Sequence, residues 1–194
     1  QARVLDLRQE VVRTDAGGVI LERRKHDGDP LGYRIVDLGA RSAFASFDHD
    51  VARLRGADYD AGETIRHHSG GRHEYCVSAS VLAADLVVDL PKAKTHKKAG
   101  VTLCLKNLVG INGNKNYLPH HRAGAPSIGG DEFPDTKGAW YRRLRAMAVD
   151  AARPLLAAGR LVPLFRKLRA LDLATRPKDM VRNGNWWGND TVWR

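Results

Sequence analysis

The stretch from Leu86 to Gly110, LVVDLPKAKTHKKAGVTLCLKNLVG, decides the expected fold. It begins with a short apolar, β-branched run over 86–90 that ends at Pro91, which is typical of a buried strand. Apolar residues then recur at helical spacing before Gly110, a natural helix end: Val101, Cys104, Leu105, Leu108 and Val109. The order strand, basic loop, helix predicts a parallel sheet with a ligand site at the carboxyl edge of its strands.

The rest of the chain fits the same class. Two β-type segments flank a turn signal at 15–18 and predict a hairpin, and helical periodicity returns over 137–172. We therefore expect an α/β fold: a mostly parallel sheet with flanking helices, an N-terminal hairpin and a C-terminal basic helical segment. We expect one α/β domain over 1–194, truncated at both ends, with a helical basic appendage over 137–182.

Composition bounds the class of protein. The chain has 194 residues, a formal charge of +10, 43% hydrophobic and 28% charged residues, which excludes collagen-like and wholly disordered chains. It contains no apolar run of membrane-spanning length and no signal-peptide pattern, so we expect a cytoplasmic protein. Cys76 and Cys104 stand far apart and are expected to be reduced, buried thiols.

The positive charge is unevenly distributed. Residues 1–90 carry a net charge of −3, whereas residues 91–130 hold seven basic side chains and no acidic one. Residues 137–182 carry a net charge of +9 on a helical pattern. Because a solvated surface normally mixes both signs, the acid-free stretch of 91–130 predicts an anion site.

The basic loop after Pro91 is the strongest local signal. An extended chain would project Lys92, Lys94 and His96 to one side, where a phosphate or carboxylate could bind. Crowded ammonium groups also lower one another's pKa, which could supply a neutral lysine as base or nucleophile. The alternative is an ordinary solvated loop.

We assign catalytic roles to four residues: Lys94, His96, Lys106 and His73. We assign substrate-binding roles to eight others: Lys92, Lys98, Asn107, Asn114, Lys115, His120, His121 and Arg122. The histidines at 67–73 and 120–121 match no helical zinc spacing, so we predict no metal site, and the residues name no cofactor.

The segment 89–110 resembles the hallmark of the domain-of-unknown-function 362 family, a bacterial and archaeal group of uncharacterised proteins. Further segments match the form of that family found near polysaccharide biosynthesis genes: 67–73, 112–121, 129–132 and 184–194. Family members begin with a strand and a Lys-Pro-Asn motif ahead of these segments, so the resemblance implies a fragment. It implies no agreed catalytic residue.

Three functions compete at this point. The first is an enzyme acting on an anionic, phosphorylated or carboxylated, small substrate held by the basic loop. The second is docking to an anionic membrane surface or a protein partner through the basic amphipathic helices of 137–172. Nucleic-acid binding is the third, and we do not expect it because no recognition motif accompanies the charge.

Overall fold

The computed structural model describes residues 3–15, 19–56, 60–96, 99–135 and 139–175 together with Thr191. The strands are β1 (Glu10–Thr14), β2 (Ile20–Lys25), β3 (Tyr33–Asp37), β4 (Leu54–Arg55), β5 (Glu74–Ser78), β6 (Lys94–His96), β7 (Gly100–Thr102) and β8 (His121–Arg122). The α-helices are α1 (Ala61–His67), α2 (Ala79–Leu82), α3 (Cys104–Val109), α4 (Ala139–Ala157) and α5 (Val162–Thr175). Short 3-10 helices cover Gly39–Arg41, Val51–Arg53, Lys115–Tyr117 and Pro126–Ile128.

The N-terminal hairpin is formed by β1 and β2, which pair antiparallel. Their β-branched residues favour an extended backbone. Arg13 lies directly opposite Glu22, and its Nε is 3.1 Å from a carboxylate oxygen of that residue. Opposite charges at facing positions support this register.

A second strand pair organises the centre of the molecule. Strands β3 and β5 pair antiparallel, with Ile35 opposite Cys76. The free edge of β5 is bound by the segment 111–113, since Ser78 N donates to the Ile111 carbonyl at 2.9 Å and Gly113 N donates to the Cys76 carbonyl at 2.8 Å. The chain that leaves α3 is thereby fixed beside β5.

The expected mostly parallel sheet is wrong. Every strand pair among the described residues is antiparallel and two-stranded: β1 with β2, β3 with β5, β4 with β8, and β6 with β7. In two of these pairs, β1 with β2 and β6 with β7, only a few residues separate the strands. A connection this short can join only antiparallel strands.

The expected buried strand over 86–90 is the main source of that error. This segment has no regular secondary structure, and Leu86 and Leu90 are 79% and 84% exposed. A short apolar run is compatible with several structures, and periodicity alone does not decide whether a partner strand lies beside it. The basic loop after Pro91 consequently leads into a hairpin of β6 and β7.

The buried interior is rich in polar groups. Its apolar members are Val19, Phe44, Leu54, Cys76, Ala125, Phe133 and Leu156. Asp29 is buried with them and accepts hydrogen bonds from the hydroxyls of Ser78 and Ser80 and from the backbone N–H of Leu31. Burial raises the pKa of Asp29, but the hydrogen bonds outweigh it and hold that pKa well below its usual range.

Helices α4 and α5 form the C-terminal part of the described chain, within the segment expected to be helical. Arg55 of β4 holds α4 to the body, because its Nη2 lies 2.8 Å from Oδ2 of Asp150. Arg153 adds a second contact to Asp150 at 2.7 Å. Among the described residues, no helix combines the length and apolar character needed to cross a membrane.

We expect the substitution Asp150→Asn to lower the free energy of unfolding by about 1–3 kcal/mol, because it leaves the partly buried Arg55 guanidinium without its counter-charge. Urea unfolding measures the change. The matched control is Glu22→Gln, which removes an exposed pair on β2 and should leave stability unchanged. Equal stability of the two variants would contradict this anchoring role.

Candidate functional site

The expected basic loop is folded into a small hairpin. In the register of β6 and β7, Lys94 faces Thr102 and His96 faces Gly100. Because alternate residues of a strand point to the same side, Lys94 and His96 share one face. Their cross-strand neighbours on that face are a glycine and a threonine, which have small side chains, and Thr102 is buried.

His96 has a defined hydrogen-bonding direction. Its Nδ1 accepts a hydrogen bond from the backbone N–H of Ala99 at 3.1 Å. The proton of a neutral His96 is therefore on Nε2, which makes that atom a donor. A donor next to an exposed lysine suits a phosphate or carboxylate oxygen.

Helix α3 contacts the start of this region. Asn107 Nδ2 donates to Oδ1 of Asp89 at 2.6 Å, so the two ends of the segment 89–107 meet. We call this segment the basic unit. It brings together five of the expected site residues, of which all but the half-buried His96 are exposed: Lys92, Lys94, His96, Lys106 and Asn107.

The expected helix beginning at Val101 is shorter than its pattern indicated. Helix α3 starts at Cys104, no side chain caps its N-terminus, and it has only six residues. Residues 100–102 belong to β7 instead. A helix this short gives no dipole-based anion site, so the expected anion site would depend on the side chains of the basic unit. Cys104 is exposed, contrary to the expected burial, whereas Cys76 is buried.

His73 lies in a different part of the molecule. It is buried next to His68, which follows α1, and the Nδ1 atoms of the two rings are 3.3 Å apart. His68 Nε2 lies 3.0 Å from the carbonyl oxygen of Tyr117. A carbonyl only accepts, so Nε2 of His68 is the donor, Nδ1 of His68 accepts from Nδ1 of His73, and the lone pair of His73 is on Nε2.

Aromatic rings enclose these histidines. Phe44 stacks on His73 at 5.8 Å between ring centroids and lies 5.6 Å from His68. His49 contributes a third imidazole, whose Nδ1 is 2.6 Å from the Phe47 carbonyl and whose buried Nε2 has no hydrogen-bond partner among the described residues. We call His49, His68, His73 and Phe44 the histidine cluster.

Burial controls the charge of this cluster. It lowers the pKa of His68 to about 4, an effect that the hydrogen bond to the Tyr117 carbonyl opposes but does not cancel. Burial also lowers the pKa of His73, helped by the nearby His49. These lowered pKa values favour the uncharged rings of His68 and His73 at neutral pH.

Asn114 and Lys115 lie beside the histidine cluster, in the turn that precedes Tyr117. Asn114 caps the 3-10 helix of Lys115–Tyr117 by accepting from the backbone N–H of Asn116. The side-chain amides of Asn114 and Asn116 both donate to the carboxylate of Glu63 in α1. Asn114 thus has a structural role here, and Lys115 is exposed.

His120, His121 and Arg122 continue from this turn into β8. The backbone N–H of His120 donates to the carbonyl of Arg55, and His121 pairs with the same residue across the β4–β8 ladder. Arg122 is buried, with its guanidinium carbon 4.5 Å from the centroid of the Phe47 ring. Its position is in the packed interior.

The structure thus separates the expected site residues into two groups. The basic unit contains five, and the surroundings of the histidine cluster contain six: His73, Asn114, Lys115, His120, His121 and Arg122. Lys98 lies outside the described residues. The catalytic role of His73 stays a prediction, because the described contacts place it with His68 and not with Lys94.

The sequence patterns did not predict several residues that pack against or hold the expected site residues. His49 and Phe44 lie outside any motif, and only long-range contacts bring them to His68. Asp131 accepts from the backbone N–H of Arg122 at 2.6 Å and from the N–H and hydroxyl of Thr191. The pair Gly129-Gly130 before it was the available signal, since a Cβ on Gly130 would lie 2.2 Å from the Gly124 carbonyl oxygen.

No group of three His, Cys, Asp or Glu side chains within the described ranges is arranged to hold a metal ion. The imidazoles of the histidine cluster bond to one another and to carbonyl groups instead.

We expect stability to fall as pH is lowered from about 6.5 to about 4, because folding lowers the pKa of His68 from 6.5 to about 4 and the folded state then binds fewer protons than the unfolded one. The slope from this group is at most about 1.4 kcal/mol per pH unit. Urea unfolding across this range measures it.

The variant His68→Gln removes the titrating group and should flatten this slope. The control His26→Gln, at an exposed histidine, should leave the slope unchanged. An identical pH dependence of the wild type and His68→Gln would refute the assignment of a neutral, buried His68.

Comparison with known proteins gives one match. No curated protein and no solved structure shows significant similarity to the chain. One family model does match, that of the domain of unknown function DUF362, and it covers residues 7–175. The match includes both the basic unit and the histidine cluster and confirms the resemblance noted for 89–110. The chain belongs to the DUF362 family.

Proposed function

We propose that the protein is an enzyme that binds an anionic small molecule, phosphorylated or carboxylated, at the basic unit. The observation that carries this proposal is the contact between Asp89 and Asn107, which closes the basic unit into one exposed surface. Lys92, Lys94 and Lys106 are all exposed on it. The sequence from 90 to 130 contains no acidic side chain, and Asp89, the one acidic residue of the basic unit, accepts the hydrogen bond from Asn107.

The binding step depends on charge and donor direction. Lys94 and His96 share one face of the β6–β7 hairpin, beside the small residues Gly100 and Thr102. An ammonium group and the Nε2–H of His96 would hold two oxygens of one phosphate or carboxylate. Lys92, at the next alternate position, would extend the same row of donors.

The acid–base step would use groups of the same unit. The Nε2–H of His96 would donate a hydrogen bond to a leaving oxygen and stabilise its charge, and Lys106 on α3 offers an ionisable group that could supply the proton. His73 is the alternative acid–base group, because its neutral ring has a lone pair on Nε2. The substrate-binding roles of Lys115, His120 and His121 would then belong to a ligand that extends toward the histidine cluster.

The proposed partner is a small molecule, and we do not expect nucleic acid. The cations of the basic unit lie on one short hairpin and one six-residue helix. A nucleic-acid surface needs a row of phosphate contacts over a longer distance. The thiols of Cys76 and Cys104 are both free, and on this ground we propose a reducing compartment such as the bacterial cytoplasm.

We expect phosphate, pyrophosphate, citrate or a sugar phosphate to raise the melting temperature of the full chain, since binding at about 100 times the Kd contributes about 2.7 kcal/mol. Lys94→Gln and His96→Gln should each weaken that binding about tenfold or more, through loss of a charge-assisted hydrogen bond. Differential scanning fluorimetry at several anion concentrations measures both effects.

The matched control is Lys25→Gln, an exposed lysine of β2 outside the basic unit, which should bind like the wild type. Circular dichroism establishes that each variant is folded. Absence of stabilisation by all four anions, or equal stabilisation of the wild type and both variants, would overturn the proposed binding site.

A further inference from the structure

Helices α4 and α5 expose an unusual amount of apolar surface. Trp140 and Met147 are each 67% exposed, although large apolar side chains are normally covered. Among the side chains that the structure describes between 139 and 175, eight of this kind are exposed: Trp140, Leu144, Met147, Leu155, Leu161, Leu164, Leu168 and Leu171. A patch of this kind marks an interaction surface.

These side chains follow the helical repeat. Trp140, Leu144 and Met147 are four and three residues apart, and so lie along one side of α4. In α5, Leu164, Leu168 and Leu171 repeat the spacing four and three, and the exposed Leu161 lies just before the helix. We call these two rows the apolar face.

The apolar row of α4 lies beside the contacts that hold the helix to the body: Asp150, three residues after Met147, pairs with Arg55, and Arg143 donates to the Ser127 hydroxyl at 3.5 Å. Leu156, in contrast, is only 4% exposed. At about 100° per residue, Leu156 lies on the side of α4 opposite Met147 and Trp140. Helix α4 is thus held to the body while its apolar row remains exposed to solvent.

Exposed cations border the apolar face. Arg143 lies three residues after Trp140 and four before Met147, so it is a surface neighbour of both. Lys167 lies three residues after Leu164 and four before Leu171, and the exposed Arg160 lies in the turn before α5, next to Leu161. Over 139–175 the chain contains eight basic and two acidic residues.

The two helices lie side by side. A cavity of about 210 Å³ is lined by residues of both, among them Tyr141 and Val149 of α4 and Phe165 of α5. Leu168 contributes to the cavity wall as well as to the apolar face. An acyl chain or an apolar side chain could therefore extend from the face into the space between the helices.

We propose that the apolar face of α4 and α5 docks on a membrane surface that contains anionic lipids. The leucines and Trp140 would enter the boundary between headgroups and acyl chains, while Arg143, Arg160 and Lys167 bind lipid phosphates. Tryptophan and arginine or lysine are the side chains that favour this boundary.

Charge complementarity favours lipid over other occupants. A second copy of the chain would place its own cations against Arg143, Arg160 and Lys167, and these like charges would repel. A nucleic acid would neutralise the cations but leave Trp140 and its neighbouring leucines in water. An anionic bilayer satisfies both the charge and the apolar area.

Flotation of the full chain with vesicles tests the proposal. The chain should float with vesicles containing about 30 mol % phosphatidylglycerol and much less with pure phosphatidylcholine. Raising the salt from about 0.1 M to about 0.5 M should lower the bound fraction, since screening weakens the contacts to lipid phosphates. The triple variant Trp140→Ser, Leu144→Ser, Met147→Ser should bind about tenfold or more weakly.

A matched control removes apolar surface elsewhere. Val4 and Leu31 are 98% and 64% exposed, and Val4→Ser with Leu31→Ser should float like the wild type. The variant Arg143→Gln, Arg160→Gln, Lys167→Gln should lose the preference for anionic vesicles. Circular dichroism and thermal unfolding establish that all variants are folded.

Three outcomes would overturn the proposal. The first is absence of flotation with anionic vesicles at low salt, and the second is equal flotation of the wild type and the triple serine variant. The third is light scattering that shows a dimer for the wild type and a monomer for that variant, together with no flotation, which would assign the face to a second copy. Each is independent of anion binding at the basic unit, because Lys94→Gln and His96→Gln leave the apolar face unchanged.

Discussion

The hydrogen bonds that run from the Tyr117 carbonyl through His68 to His73 constrain the centre of the molecule. They join α1, β5 and the turn before β8, which are distant in sequence. The arrangement requires neutral rings, since a proton on Nδ1 of His68 would replace an acceptor by a donor facing the N–H of His73. Burial beside Phe44 supplies that condition by disfavouring the charged form. The hydrogen bonds and the burial thus favour the same neutral state of both rings.

Local patterns predicted the elements whose partners are close in sequence. The turn at 15–18 and its flanking β-branched residues sufficed for the β1–β2 hairpin, and periodicity sufficed for helices within 137–172. The absence of acids from 91–130 located the basic unit, because charge composition does not depend on the fold. Alternation placed Lys94 and His96 on one side of an extended chain, as they are in β6.

Non-local contacts account for what the sequence did not predict. The run at 86–90 has the composition of a buried strand, but burial needs a partner that a local pattern does not specify, and the structure leaves Leu86 and Leu90 exposed. The histidine cluster depends on Phe44 and His49 approaching His68 and His73 from another segment. Single aromatic residues in irregular segments have no sequence spacing from which their packing against His68 and His73 could be predicted.

The two cationic regions differ in what surrounds the charge, and that difference separates their ligands. In the basic unit, Lys94 and His96 face a glycine and a threonine, so the space beside them suits a small polar group. Along α4, Arg143 stands between Trp140 and Met147, so any anion it binds must come with apolar area that covers both side chains. A free phosphate would satisfy the first region and leave the second uncovered. Under both proposals, the neighbours of the charges, and not the total of +10, would decide which anions bind.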